Sequence, residues 1–180
     1  MVEIALHILD LIENSINARA SVVRVTVNES PSRDLLEVRI EDNGAGLGVT
    51  PEQALDPFYT TKPGKRVGLG LALFAGAAER AGGHLKLEQS SLGGVCVDVV
   101  MQLSHIDRAP LGDLPTTFSS VVCTNPDLDL QLRFLVEGAE REVRVKDLDD
   151  ARQRGAAGLT VARKVSQEVK IALASVGMRS

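Results

Sequence analysis

The spacing of apolar residues changes several times between helical and strand-like periods before it breaks down. Up to about Leu103, these residues recur either every three to four positions or at alternate positions. Residues 104–115 then interrupt the pattern with two prolines and a glycine. Such a mixture predicts an α+β fold, in which helices pack on a sheet, with a boundary near residue 110.

Composition limits the classes of partner. The chain has 180 residues, 44% of them hydrophobic, which suffices for one core and a small second module. Its net charge of −4 argues against nucleic acid or an anionic membrane as partner, because both attract excess Lys and Arg. No leader and no apolar run of roughly 20 residues is present, so we expect a cytoplasmic protein. Cys96 and Cys123 lack zinc-site spacing and are predicted to be buried free thiols.

Residues 2–18 predict an amphipathic helix with one polar face of interest. Its apolar positions recur at helical spacing and can pack against a sheet. At about 100° per residue, Asp10, Asn14 and Asn17 fall within about 60° of one another, flanked by His7 and Glu13. For a helix taken alone, a solvated surface explains this face better than a binding site does.

Two strands follow the helix. Alternating apolar residues over 23–27 and 36–40, separated by a turn containing Pro31, predict an antiparallel pair. The second strand runs into Asp42, followed by Gly44 and Gly46. This segment is either a plain turn or a place where the backbone approaches a ligand closely.

A third segment combines cations with glycines. Lys62, Lys65 and Arg66 precede Gly68 and Gly70, where a helix is predicted from about residue 69 to residue 80. Free amides at a helix start, beside cations, favour an anion. Glycines at this place also permit tight packing. A hairpin around residues 93–94 completes this part of the chain.

These segments, in this order, resemble the boxes of the GHKL superfamily, which groups gyrase, the ninety-kilodalton heat-shock chaperones, histidine kinases and a mismatch-repair ATPase. Residues 10–18 are similar to its N box, residues 42–46 to its G1 box, residues 56–58 to its F box and residues 68–71 to its G2 box. The resemblance implies a Bergerat-type two-layer α/β sandwich, with a mixed sheet and helices on one face, over residues 1–104. A linker over residues 105–115 and a small α/β region over residues 116–180 would follow.

The resemblance also implies a pocket for ATP and Mg²⁺. Asn14 would ligate the metal, and Asp42 would accept a hydrogen bond from the adenine amino group. Asp10 would be a general base for hydrolysis, or would hold a metal-bound water. Phe58 would pack the base of the lid or stack on adenine. The remaining implied ATP contacts are Asn17, Gly44, Gly46, Lys62, Lys65, Arg66, Gly68, Leu69 and Gly70.

Two departures from the family pattern qualify these implications. Val95 stands where family members often place a threonine that reaches adenine through water, and the lid over residues 60–67 is short. No phosphoacceptor histidine precedes the N box, so we expect a stand-alone protein that is not a complete histidine kinase. His7 is predicted at the pocket rim, and His84 and His105 at a strand edge and in the linker.

The C-terminal region predicts a hairpin around Gly138 and a helix from Leu159 to about Val176, without nucleotide motifs. We expect it to mediate self-association or partner docking. Three functions then remain open: an ATPase that drives a conformational or dimer switch, a protein kinase acting in trans on a partner, and an ATP-sensing module with negligible turnover.

Overall fold

The structure is a computed structural model and describes residues 3–55, 69–151 and 158–178. The F box and the whole predicted lid lie outside the described residues, with Phe58, Lys62, Lys65, Arg66 and Gly68 among the residues concerned. The helices are α1 (Ile4–Asn17), α2 (Pro51–Leu55), α3 (Leu69–Arg80), α4 (Leu114–Thr124) and α5 (Gly158–Val176). The strands are β1 (Val22–Ser30), β2 (Leu35–Asp42), β3 (His84–Gln89), β4 (Val95–Gln102), β5 (Asp129–Val136) and β6 (Ala139–Arg144).

The six strands form one mixed sheet in the order β3-β4-β2-β1-β5-β6. The three predicted hairpins are confirmed, because β1–β2, β3–β4 and β5–β6 are all antiparallel pairs. The predicted helices are also confirmed as α1, α3 and α5. The parallel pair is β1–β5, which joins segments about 100 residues apart in the chain.

One face of the sheet is buried beneath the helices. Val25, Ile40, Val97 and Leu132 are aligned across four strands, and each is at most 6% exposed. Ile8 and Ile12 of α1 join the same core, because the apolar stripe of the helix faces the sheet. The predicted α+β architecture, a two-layer sandwich with helices on one face, is therefore confirmed.

The opposite face of the sheet is polar. Arg24 pairs with Glu41 across strands, and Arg39 pairs with Asp98. Cys96 is 6% exposed among these charged side chains, and burial raises the pKa of its thiol to about 11. The predicted burial of Cys123 is wrong, since this thiol is exposed. It lies next to the buried stripe of α4, on the side of the helix that faces away from the core.

The C-terminal segment continues the same sheet and core. Strand β5 pairs with β1 at eight consecutive positions, and the Phe118 ring of α4 lies 6.4 Å from the Phe134 ring of β5. The carbonyls of Pro110 and Leu111 accept hydrogen bonds from the first two amides of α1. The boundary expected near residue 110 thus separates two segments of one sheet, and its functional meaning stays a prediction. Within the described ranges, no helix is both long and apolar enough to cross a membrane.

Candidate functional site

The centre of the candidate site is the carboxylate of Asp42, at the last residue of β2. Asp42 is 5% exposed, and three donors surround its side chain. Ser15 Oγ donates to Oδ2 at 2.7 Å, while the amides of Gly44 and Val95 donate to Oδ1 at 2.8 and 3.2 Å. An ionised carboxylate offers about four acceptor positions. Counting donors from the described residues, Oδ1 is therefore fully used, and Oδ2 keeps one acceptor position for a further donor.

Two glycines make room for this carboxylate. A Cβ atom on Gly94 would overlap Asp42 Oδ1 and would lie only 2.6 Å from the amide nitrogen of Gly44. A Cβ atom on Gly44 would lie 2.9 Å from the carbonyl oxygen of Ala18, at the end of α1. Gly46 has a left-handed φ of +80° and open space around it. The pattern at residues 93–94 indicated only a hairpin turn, so sequence reasoning missed the packing of Gly94 against Asp42.

Asn43 attaches the loop after β2 to the start of β1. Its Oδ1 accepts hydrogen bonds from the amides of Ser21 and Val22, both at 2.9 Å, and its Nδ2 donates to Ser21 Oγ. The sequence indicated Asn43 only as part of a box. Its observed contacts tie the loop that follows Asp42 to the start of β1.

The polar face of α1 meets the start of α3. A Cβ atom on Gly70 would lie 3.5 Å from Asp10 Cβ and 3.7 Å from Asn14 Nδ2, so α3 begins directly beside both side chains. Asp10 is exposed, whereas Asn14 is half-buried. Asn17 is the last residue of α1 and Leu69 is the first residue of α3, and both are exposed. The structure therefore brings together three of the predicted residues: Asp10, Asn14 and Gly70.

His7 is buried between α1 and α3 instead of standing at the pocket rim. Its ring is 4% exposed and stacks on Phe74, with centroids 4.7 Å apart and planes 5° from parallel. No described residue accepts or donates a hydrogen bond at its Nδ1. Burial lowers the pKa of His7, with Asp10 acting to raise it and Arg80 to lower it. The rim prediction is wrong because His7 serves as an aromatic packing residue at this interface.

The other two histidines lie close to where the sequence placed them. His84 is exposed on the edge strand β3, and His105 lies in the turn after β4, where its Nδ1 accepts the amide of Asp107. Neither residue contributes to the site around Asp42.

The described residues suit a cation that a bound ligand would also coordinate. They suit a metal ion held by protein side chains alone less well. They include no group of three or more His, Cys, Asp or Glu residues that could hold a metal ion. Mg²⁺ commonly takes one or two protein oxygens and completes its shell with water and phosphate oxygens. The neighbouring side chains of Asp10 and Asn14, beside the start of α3, would provide that kind of partial ligand set.

Comparison with known proteins places this site in a family. A stretch of 103 residues is 33% identical to the sensor protein kinase CarS of Pseudomonas aeruginosa, and covers 56% of this chain and 22% of CarS. A stretch of 94 residues is 36% identical to the sensor protein ChvG of Agrobacterium fabrum, and covers 46% of this chain and 16% of ChvG. The chain thus matches less than a quarter of the length of either relative.

A solved structure and a family match complete the comparison. The ATP binding domain of PrrB from Mycobacterium tuberculosis is 29% identical, with a TM-score of 0.43, over 54% of this chain and 64% of that domain. Residues 2–105 match the family described as histidine kinase-, DNA gyrase B-, and HSP90-like ATPase. This range contains all four boxes and every residue of the site described above. Since the match covers more than half of the chain, the protein belongs to the histidine kinase-, DNA gyrase B- and HSP90-like ATPase family.

Proposed function

We propose that the protein binds ATP with Mg²⁺ between α1, the end of β2 and the start of α3. The observation that carries this proposal is the buried Asp42 carboxylate, to which the described residues give three donors, so that one acceptor position on Oδ2 is left. A buried carboxylate with a remaining acceptor position can accept a donor from a ligand. Family membership supports adenine as the source of that donor.

The arrangement favours adenine over guanine. The exocyclic amino group of adenine supplies an N–H donor, whereas guanine carries a carbonyl oxygen at the same ring position and would place two acceptors together. Val95 has no side-chain hydroxyl that could contribute to base recognition, and its amide already donates to Asp42. Asp42 therefore carries most of the base recognition in this proposal.

The phosphates are proposed to lie at the start of α3. Amides at a helix N-terminus and the helix dipole attract anions, but the Asp10 carboxylate beside Gly70 repels them. A divalent cation would offset this repulsion, and the amide oxygen of Asn14 is a suitable hard ligand for it. The roles of Lys62, Lys65, Arg66, Gly68 and Phe58 in this proposal rest on the family resemblance alone.

Calorimetry of Asp42→Asn tests the binding proposal. Because the amides of Gly44 and Val95 both need an acceptor, the Asn oxygen should occupy the Oδ1 position and its NH₂ group the Oδ2 position. The side-chain NH₂ group of the variant and the adenine amino group, which are both donors, would then face each other. We expect the affinity for MgATP to fall by roughly 10- to 100-fold, the cost of a hydrogen bond to a charged group. The exposed Asp127→Asn should bind like wild type. Unchanged affinity in a folded Asp42→Asn would refute the proposal.

We further propose slow ATP hydrolysis with Asp10 as general base. Asp10 lies one turn before Asn14 on α1, beside the start of α3. Asp is one methylene shorter than Glu, and proton transfer needs heavy atoms within about 3 Å or one bridging water, so turnover should be slow. Such hydrolysis would drive a conformational or dimer switch.

Phosphotransfer to a partner protein is the second candidate. It is favoured by the similarity to CarS, which is named a sensor protein kinase. ATP labelled in the γ-phosphate, incubated with the protein alone and with cell extract, separates the candidates. Released phosphate from the protein alone supports hydrolysis, and a labelled protein in the extract supports phosphotransfer. The absence of both, with ATP bound, leaves an ATP-sensing module.

The C-terminal region is proposed to contact a protein partner or a second copy of the chain. Five of the six residues of β6 are exposed, and β6 is an edge of the sheet. An exposed strand edge offers unpaired backbone groups to another chain. Sedimentation of the full chain and of a Glu142→Pro variant tests this proposal, since in the β5–β6 register the amide at position 142 points away from β5, and proline there should weaken any association through β6.

A further inference from the structure

We propose that Ser15 is a positioning residue that sets the preference of the site for a base with an exocyclic amino group. The inference rests on the proposed ATP binding and deepens it. Ser15 would act through Asp42, without being a catalytic residue itself. The sequence placed Ser15 only inside a box, between Asn14 and the following apolar position.

The geometry around Ser15 is specific. Its side chain lies in the last turn of α1, is 5% exposed, and donates from Oγ to Asp42 Oδ2 at 2.7 Å. The other oxygen of Asp42 is occupied by two backbone amides. Ser15 is thus the side chain that contacts the oxygen on which an acceptor position remains open. Its sequence neighbour Asn14 faces the start of α3, so one helical turn links the two ends of the site.

This contact has a consequence for recognition. By donating its proton to Oδ2, the hydroxyl takes one acceptor position, helps the two amides to hold the carboxylate in one orientation, and leaves room for one further donor. Without the hydroxyl, Oδ2 loses a buried partner and the carboxylate is held through Oδ1 alone. The interaction of Asp42 with an amino group should weaken, while contacts with sugar and phosphates should be unaffected.

Calorimetry with two nucleotides isolates this effect. The probes are ATP and purine riboside 5′-triphosphate, which lacks the 6-amino group, each with Mg²⁺. We expect Ser15→Ala to weaken ATP binding by about two- to tenfold, less than Asp42→Asn does because the carboxylate itself is kept, and to change binding of the analogue by less than about twofold. A merely structural role of Ser15 would lower both affinities equally.

Controls keep the inference falsifiable. Ser30→Ala removes a hydroxyl that is equally buried but lies at the far end of the β1–β2 pair, and should leave both affinities unchanged. Ser15→Cys replaces the hydroxyl by a thiol of similar volume, which is a weaker donor. It should show the same selective loss of ATP affinity, and it replaces Ser15→Ala in the test if that variant does not fold. Equal losses for both nucleotides, or no loss for either, overturn the role of Ser15. A wild-type protein that binds neither nucleotide overturns the proposed function itself.

Discussion

Replacing Gly94 by alanine tests the close packing on which the candidate site depends. The added Cβ atom would overlap Asp42 Oδ1 and would lie 2.6 Å from the Gly44 nitrogen and 2.7 Å from the Asp42 carbonyl oxygen. Two of these three atoms belong to the backbone, and the third is held by two amides. None of them is the free end of a flexible side chain, so the β3–β4 hairpin or the loop after β2 has to move.

The expected cost follows from these contacts. Overpacking of a well-packed site costs about 1–3 kcal/mol. For a chain of this size, each 1 kcal/mol changes Tm by about 2–4 °C, so Gly94→Ala should lower Tm by about 2–12 °C. Moving Asp42 away from the clash also breaks at least one hydrogen bond to its carboxylate. We therefore expect ATP affinity to fall by about tenfold or more.

The assay combines thermal unfolding with calorimetry of MgATP binding. Gly76→Ala in α3 is the matched control, because its nearest neighbour would be the mobile end of Arg80 at 3.4 Å. Alanine in a helix interior is favoured over glycine by about 0.5–1 kcal/mol, so this variant should keep its affinity and gain about 1–4 °C. A Gly94→Ala protein with the Tm and ATP affinity of wild type would refute the packing argument.

Three further predictions concern turnover, pH and chain length. Asp10→Asn should lower the rate of phosphate release by roughly 10²–10⁴-fold with nearly unchanged ATP affinity, whereas weaker magnesium-dependent binding would indicate a role in holding a metal-bound water. Because burial lowers the pKa of His7, its contribution to stability should be complete above its unfolded value of about 6.5 and should be lost as pH falls below it, by at most about 1.4 kcal/mol per pH unit. Urea unfolding at several pH values should therefore show a shallower pH dependence in His7→Phe, and identical slopes would argue against this assignment. A chain ended after Ser104 loses β5 and the carbonyls that cap α1, and should unfold without cooperativity in circular dichroism, whereas a cooperative transition would show that residues 1–104 form an independent domain.

The types of α1, α3, α5 and the six strands could be predicted because they depend on neighbouring residues, whereas α2 and α4 were not predicted. Helical spacing over α1 and α5 and alternation in β1, β2 and β4 are local patterns, which mark one face of each element as apolar. The same spacing placed Asp10 and Asn14 on one face of α1, and the structure shows that this face lies beside the start of α3. Asp42 could be placed at a strand end because the alternation of β2 stops there.

Burial of individual side chains was harder to predict. His7 was expected at a rim because it follows the polar face of α1, yet its ring packs flat on Phe74 of α3. Cys123 was expected to be buried because apolar residues precede it in sequence, but it lies off the buried stripe of α4. In both cases the exposure of the side chain depends on where a second element packs, and the local sequence pattern does not show this.

The sequence by itself determined α1, α3, α5, the hairpins and the order of the boxes, because adjacent residues control backbone periodicity and turn geometry. Only the tertiary structure decided that β5 lies parallel to β1 and that Ser15 donates to Asp42. These contacts join residues that are 27 to about 107 positions apart. Contacts of that range form when whole faces are buried together, and many pairings satisfy the same local patterns, so the packing of the complete chain selects among them.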